Sequence, residues 1–156
     1  MKIFIMLGAL CMMVLSTAVL AQRGTASAVV DGKKIEIEYG QPSLQGRDMI
    51  SKLSVGSTWR MGMNNETTIN TEGTLSFGDK KINPGSYTLI AKRVAEDQWH
   101  LVFKTDSGNI EVPLMNGKIE ESVELFTISL DAVGGNKGVF SMAWGSLNVG
   151  IQFSVN

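Results

Sequence analysis

The chain has 156 residues, with 14 lysines and arginines against 15 aspartates and glutamates, a formal net charge of −1. This near balance gives no field that would gather nucleic acid or hold the chain on an anionic membrane surface. One cysteine and one histidine exclude a disulfide scaffold and a zinc site built from several nitrogen and sulfur ligands.

The first residues differ from the rest. Lys2 precedes an apolar run from Ile3 to Leu15, broken only by Gly8, and small residues close it at Ser16-Thr17-Ala18 and Val19-Leu20-Ala21. That order is a basic start, an apolar stretch and a small-residue cleavage site, the pattern of a secretory signal. Cleavage is expected before Gln22, with Ser16-x-Ala18 a close rival. The alternative, a retained anchor, has an apolar run shorter than the ~20 residues of a spanning helix. Cys11 lies inside the run behind Leu10 and reads as an apolar signal residue, not a lipid attachment point. Removal of residues 1–21 would leave a single domain over 22–156, with no cysteine, no membrane span and thirteen basic against fifteen acidic residues. The expected location is periplasmic or secreted.

Downstream, short alternating runs are separated by glycine-rich turns. Ser27 to Val30 and Lys33 to Tyr39 flank Asp31-Gly32, which predicts a tight hairpin through a type I′ turn. Ile35, Ile37 and Tyr39 fall on one face, Glu36 and Glu38 on the other. Gly40 to Ser43 break the strand, and Gly46 to Leu53 are expected to hold a short helical turn with Ile50 and Leu53 inward. Strands follow at Asn64 to Asn70 and Thr74 to Phe77, then a Gly78-Asp79 turn into Lys81-Ile82. Asn83-Pro84-Gly85 turns into a strand from Ser86 to Ala91. Trp99, Leu101 and Phe103 share a face in the next strand. Glu120 to Leu130 reads as one long bent strand with Phe126, Ile128 and Leu130 inward. Gly134-Gly135-Asn136 leads into Val139 to Trp144, and Val149, Ile151, Phe153 and Val155 alternate in the last strand. The count is eight to ten strands with no strong amphipathic helix. Short connections imply antiparallel pairing. An all-β, two-sheet antiparallel sandwich of jelly-roll or Greek-key type is the first expectation and a closed barrel the second.

Three segments carry a resemblance. They are Tyr39-Gly40-Gln41-Pro42-Ser43-Leu44-Gln45-Gly46-Arg47, Trp59-Arg60-Met61-Gly62-Met63-Asn64-Asn65-Glu66-Thr67-Thr68, and Pro84-Gly85-Ser86-Tyr87-Thr88-Leu89 with Trp99 to Phe103 behind it. In this order and spacing the chain resembles the bacterial DUF2911 family, from about Arg23 to Val155. The resemblance implies an exported protein and supplies no activity. Members commonly read Asn-Glu-Ala where this chain has Asn64-Asn65-Glu66, and often carry Arg where Gln41 stands. A carboxylate moved by one position on a strand changes face.

Arg47, Trp59, Arg60, Asn64, Asn65 and Glu66 form the most suggestive cluster. Arg offers a rigid fork of donors, Trp a stacking face, and Asn both a donor and an acceptor. Together they suit a small polar ligand such as a sugar acid, a peptide end or a glycan. The competing structural reading pairs Arg60 with Glu66, Glu36 or Glu38 and uses Trp59 as a plug at one end of the core. Met61 and Met63 read as core filling or as cover for Trp59. His100 faces away from Trp99 and Phe103 and reads as a surface residue rather than a general base. The chain has no Gly-x-Ser-x-Gly elbow, no Asp-x-Asp-x-Asp-Gly loop, and no phosphate loop around Gly134 to Gly138. No catalytic residue, cofactor or metal is therefore assigned. The leading expectation is a cell-envelope ligand-binding or interaction module. An enzyme acting on envelope glycan or peptide, and a structural subunit pairing through a sheet edge, remain as alternatives.

Overall fold

The structure, a computed structural model, describes residues 22–156. The expected signal segment lies outside the described residues. Thirteen strands and no helix are found among them. In chain order these are β1 (Arg23–Val30), β2 (Lys33–Gly40), β3 (Thr58–Trp59), β4 (Thr67–Thr71), β5 (Leu75–Phe77), β6 (Lys80–Ile82) and β7 (Gly85–Ala95). There follow β8 (Gln98–Thr105), β9 (Gly108–Pro113), β10 (Met115–Asn116), β11 (Val123–Gly134), β12 (Lys137–Gly145) and β13 (Leu147–Val155). One sheet has seven strands in the order β1-β2-β4-β7-β8-β9, with β3 beside β7. The other has six, in the order β11-β12-β13-β5-β6, with β10 beside β13. Every pairing is antiparallel, and the sheets do not close on one another, so the sandwich expectation holds over the barrel.

Local chemistry explains most of the strands. Asp31 and Gly32 have φ of 48° and 73°, the two positive values that a type I′ turn needs, and they set the β1–β2 register. Alternation then sends Ile35, Ile37 and Tyr39 inward and leaves Glu38 exposed. Leu89, Leu101 and Phe103 extend the inner face of the first sheet; Phe126, Met142, Val149 and Phe153 face them from the second. Each such burial is worth about 1.5–3 kcal/mol relative to exposure.

Four expectations are corrected. Gly46 to Leu53 form no helical turn of the kind expected. Asp48 Oδ1 accepts from the Ser51 N–H at 3.1 Å, and one tight turn (Leu53 N–H to Ile50 O, 3.1 Å) buries Ile50. The strand expected from Asn64 begins only at Thr67, because Asn64 is held at φ 65°, outside the β region. The long strand starts at Val123 and runs on to Gly134. The strand total exceeds eight to ten because β9 and the two-residue β3 and β10 were not foreseen.

The two sheets are joined at the end of β2. Tyr39 is 2 % exposed, and its hydroxyl accepts from the Ile128 N–H at 3.0 Å and donates to the Ile128 carbonyl at 3.3 Å. Gln41 Nε2 donates to the same hydroxyl and to the Phe126 carbonyl. The Phe126 N–H donates to Pro42 O and the Leu44 N–H to Glu124 O, both at 3.0 Å. The segment after β2 thus satisfies the free edge of β11, which would otherwise leave buried backbone groups without partners.

Beside β7 a second irregularity appears. β3 and β4 occupy one lane along it: Thr58 pairs with Lys92, Trp59 with Ala91, and Thr67 with Leu89. Residues 60–66 leave that lane and return to it. The excursion rests on the end of β2, where Gly40 lies so close that a Cβ there would sit 2.3 Å from Met63 O. Met61 takes φ 57°, which costs a bulky residue about 1–3 kcal/mol. Its side chain is fully buried, which returns about as much, and its carbonyl accepts from the buried Thr67 hydroxyl at 2.7 Å.

Two substitutions test this joint. Tyr39→Phe leaves the Ile128 N–H unpartnered in the core and is expected to cost about 1–3 kcal/mol. In urea it should lower the midpoint without changing the slope. Gly40→Ala forces a methyl against Met63 backbone and is expected to cost about 1–3 kcal/mol by overpacking, read by the same titration.

Candidate functional site

The loops that follow β2, β3, β7 and β12 gather at one end of the sandwich, and all six residues of the sequence cluster lie there. They do not form one site. Trp59 turns into the core, stacked on Trp144 (centroids 5.5 Å apart, planes 13° apart) and edge-on to Phe126 at 4.8 Å. Trp99 completes the aromatic group at 6.4 Å. Arg47 folds back on its own loop, with Nε donating to Leu44 O at 3.0 Å and Nη2 to Ser43 O at 3.3 Å. These contacts place Arg47 on the inter-sheet joint and Trp59 beneath it.

Arg60 and Glu66 do come together. They mark the two points where the chain leaves and rejoins the β3–β4 lane, so both reach the outer face of the seven-stranded sheet. With Thr58, Thr88, Ile90 and Lys104 they line a shallow groove of about 280 Å³. Arg60 Nη1 donates to the Asn64 carbonyl at 2.8 Å, which fixes the loop turn at Asn64. Asn65 is exposed between Asn64 and Glu66. Glu66 accepts from the Thr88 hydroxyl at 3.3 Å. No ion pair joins Arg60 to Glu66, Glu36 or Glu38 among the described residues; Glu36 pairs with Lys34 and Glu38 with Arg23 instead. Lys104 likewise enters no ion pair among them.

Farther across the same face, a polar trio was not seen in the sequence. Glu111 on β9 accepts from Lys92 Nζ at 2.9 Å through one oxygen and contacts His100 Nδ1 at 2.9 Å through the other. Register explains it: Lys92 lies opposite His100, and Glu111 lies opposite Val102, one step along the outer face. Bonds from Lys92 and then His100 hold the Glu111 carboxyl below the ordinary carboxylate range. The alternation of Ile110 and Val112 after the Asp106-Ser107-Gly108 turn was the available signal for β9.

A second cleft, about 330 Å³, opens at the loop-bearing end rather than on the sheet face. Asp48, Arg93, Asp97, Trp99, Asn116 and Asn148 contribute to its wall. Every guanidinium nitrogen of Arg93 donates there. Nη1 donates to Leu53 O at 2.6 Å, Nε and Nη2 donate to Glu96 O, and the guanidinium lies 5.7 Å from the Trp99 ring centre. Among the described residues no group of three or more His, Cys, Asp or Glu is placed to hold a metal ion. No helix there is long and apolar enough to cross a membrane.

Fold and grooves define an all-β sandwich that carries its irregular, polar segments at one end and along one sheet face. The chain belongs to the family described as protein of unknown function (DUF2911), whose model matches residues 21–153. Comparison with curated proteins and with solved structures gave no match.

Because the folded carboxyl of Glu111 ionises more readily than an unfolded one, its pairing stabilises the protein above the ordinary glutamate pKa and is lost as pH falls through the depressed value. Wild type is therefore expected to exceed Glu111→Gln in stability at neutral pH. The gap should close on acidification below the glutamate range and narrow in high salt, as followed by urea midpoints across pH.

Proposed function

We propose that this is an exported, non-catalytic module of the cell envelope that binds the anionic group of a small polar ligand, such as a sugar acid or a peptide carboxylate. The groove on the outer face of the seven-stranded sheet is the site. The carrying observation is that its two cations, Arg60 and Lys104, enter no ion pair among the described residues while sharing a concavity with Thr58, Thr88 and Glu66. With Nη1 braced on the Asn64 carbonyl, the Arg60 guanidinium keeps its remaining N–H groups for a carboxylate or phosphate, and Lys104 adds a point charge. Glu66 and the two threonines then accept from or donate to neighbouring hydroxyls of the ligand. Asn64 and Asn65 lie on the loop that Arg60 braces and do not line the groove. Arg47 and Trp59 support the loops from behind. Export rests on Lys2, the apolar run and the small residues before Gln22.

Thermal unfolding against matched anionic and neutral ligands tests this reading. Sugar acids or carboxylate-terminated peptides should raise the midpoint by mass action, and their neutral amides should not. Arg60→Ala is expected to abolish the rise while its own unliganded midpoint stays within about 2 °C of wild type, the size of a surface change in a chain this long. Absence of any rise with the anions, or a rise that Arg60→Ala retains, overturns the proposal.

A further inference from the structure

We infer that the cleft at the loop-bearing end is a second binding site, separate from the sheet-face groove, and that it takes a neutral hydroxyl-rich ligand, a sugar ring. Its size falls at the lower end of the ~300–1,000 Å³ usual for small-molecule sites. It is assembled from segments far apart in sequence: Asp48 from the loop after β2, Arg93 from β7, Asp97 from the β7–β8 turn, Trp99 from β8, Asn116 from β10 and Asn148 from β13.

The state of each polar group specifies the ligand. The guanidinium nitrogens of Arg93 all donate to backbone carbonyls, which fixes the group in the wall and leaves few of its donors for a ligand. Asn116 Nδ2 donates to Asp97 O at 2.9 Å, and Asn148 Nδ2 donates to Lys118 O at 2.7 Å. Both amides are thereby oriented with their oxygens left as acceptors. The Asp97 carboxylate has no partner among the described residues, and Asp48 has one acceptor bond, from the Ser51 N–H. Open acceptors outnumber the open donors, which are the Ser146 hydroxyl and the second N–H of each amide.

One further donor belongs to Trp99. Trp99 is 3 % exposed, and its indole N–H bonds to nothing among the described residues, yet no fully buried polar side-chain atom there lacks a partner. The indole nitrogen therefore keeps some exposure, and Trp99 lines the cleft. A buried tryptophan whose only polar atom is turned to an opening is placed to donate to a ligand.

A wall of open acceptors with fewer donors among them suits hydroxyl groups, each of which both donates and accepts. Ile50 and Leu147, both largely buried in the same wall, supply the apolar surface on which the C–H face of a ring packs. An anion is disfavoured, because three carboxylates, Asp48, Glu96 and Asp97, line the cleft against one cation, Arg93. A simple organic cation leaves the indole N–H unanswered.

The test is an NMR titration of the purified protein with neutral sugars (glucose, galactose, N-acetylglucosamine), with glucuronate and with putrescine. The Trp99 indole N–H resonance, identified by its loss in Trp99→Phe, should move saturably with at least one neutral sugar, with Kd of about 1–10 mM. Asp97→Asn and Asn148→Ala should each weaken that response by roughly tenfold, the worth of one good hydrogen bond, while the rest of the spectrum stays folded. Arg60→Ala should leave it unchanged, which separates this site from the groove. No movement with any neutral sugar, a larger response to putrescine or glucuronate, or undiminished binding in both cleft variants overturns the inference.

Discussion

A single phenol holds the two layers in register. Tyr39 ends an inward row of the first sheet, and its hydroxyl meets both backbone groups of Ile128 on the edge of the second. Packing alone positions sheets loosely, because apolar contact has no direction. A hydrogen bond into a strand edge fixes distance and sliding together. Gln41, Pro42 and Leu44 extend the same contact down β11, so this edge of the six-stranded sheet is satisfied by a loop instead of a neighbouring strand.

The loops at this end inherit their placement from that joint. Arg47 braces the segment to its own carbonyls, and the Glu124 carboxylate accepts from the Ser43 hydroxyl and the Gln45 N–H, which depresses its pKa. Gly40 then gives the 60–66 excursion a surface to lie on, because only a residue without Cβ admits Met63 backbone so closely. Met61 anchors the excursion in the core at the expense of a left-handed backbone. Arg60 and Glu66 reach one groove because the chain leaves and rejoins a single lane beside β7. The segments from Tyr39 to Arg47 and from Trp59 to Thr68 are thus the two halves of one contact, and their first consequence is architectural.

Both polar concavities lie away from the core, yet they depend on it differently. The sheet-face groove needs only strand register: Thr88 and Lys104 are cross-strand partners on β7 and β8. The end cleft needs six separate segments to hold still, and Arg93 ties two of them together through the carbonyls of Leu53 and Glu96. Such a cleft is readable only when every hydrogen bond around it has been assigned, since the same amides would mean nothing with their orientation unknown.

Periodicity and turn chemistry made much of the fold legible from the residues. Asp31-Gly32 predicts its hairpin because both positions need positive φ, and the rows Ile35-Ile37-Tyr39 and Phe126-Ile128-Leu130 lie inward as their alternation requires. The same local rules fail at Gly46 to Leu53, where apolar spacing suggested a helical turn but Asp48 captured a backbone N–H, and at Asn64, where strand-like composition met a left-handed turn. The residues of the polar cluster were visible by type. Their division into a groove pair, a loop brace and a core plug was not, because it depends on which way each side chain leaves a backbone fixed by long-range pairing. Glu111 beside His100 and the cleft around Trp99 were invisible for the same reason. Sequence determines what alternates and what turns, since those are set by neighbours along the chain; which polar groups converge is decided across strands, and only the tertiary structure contains that.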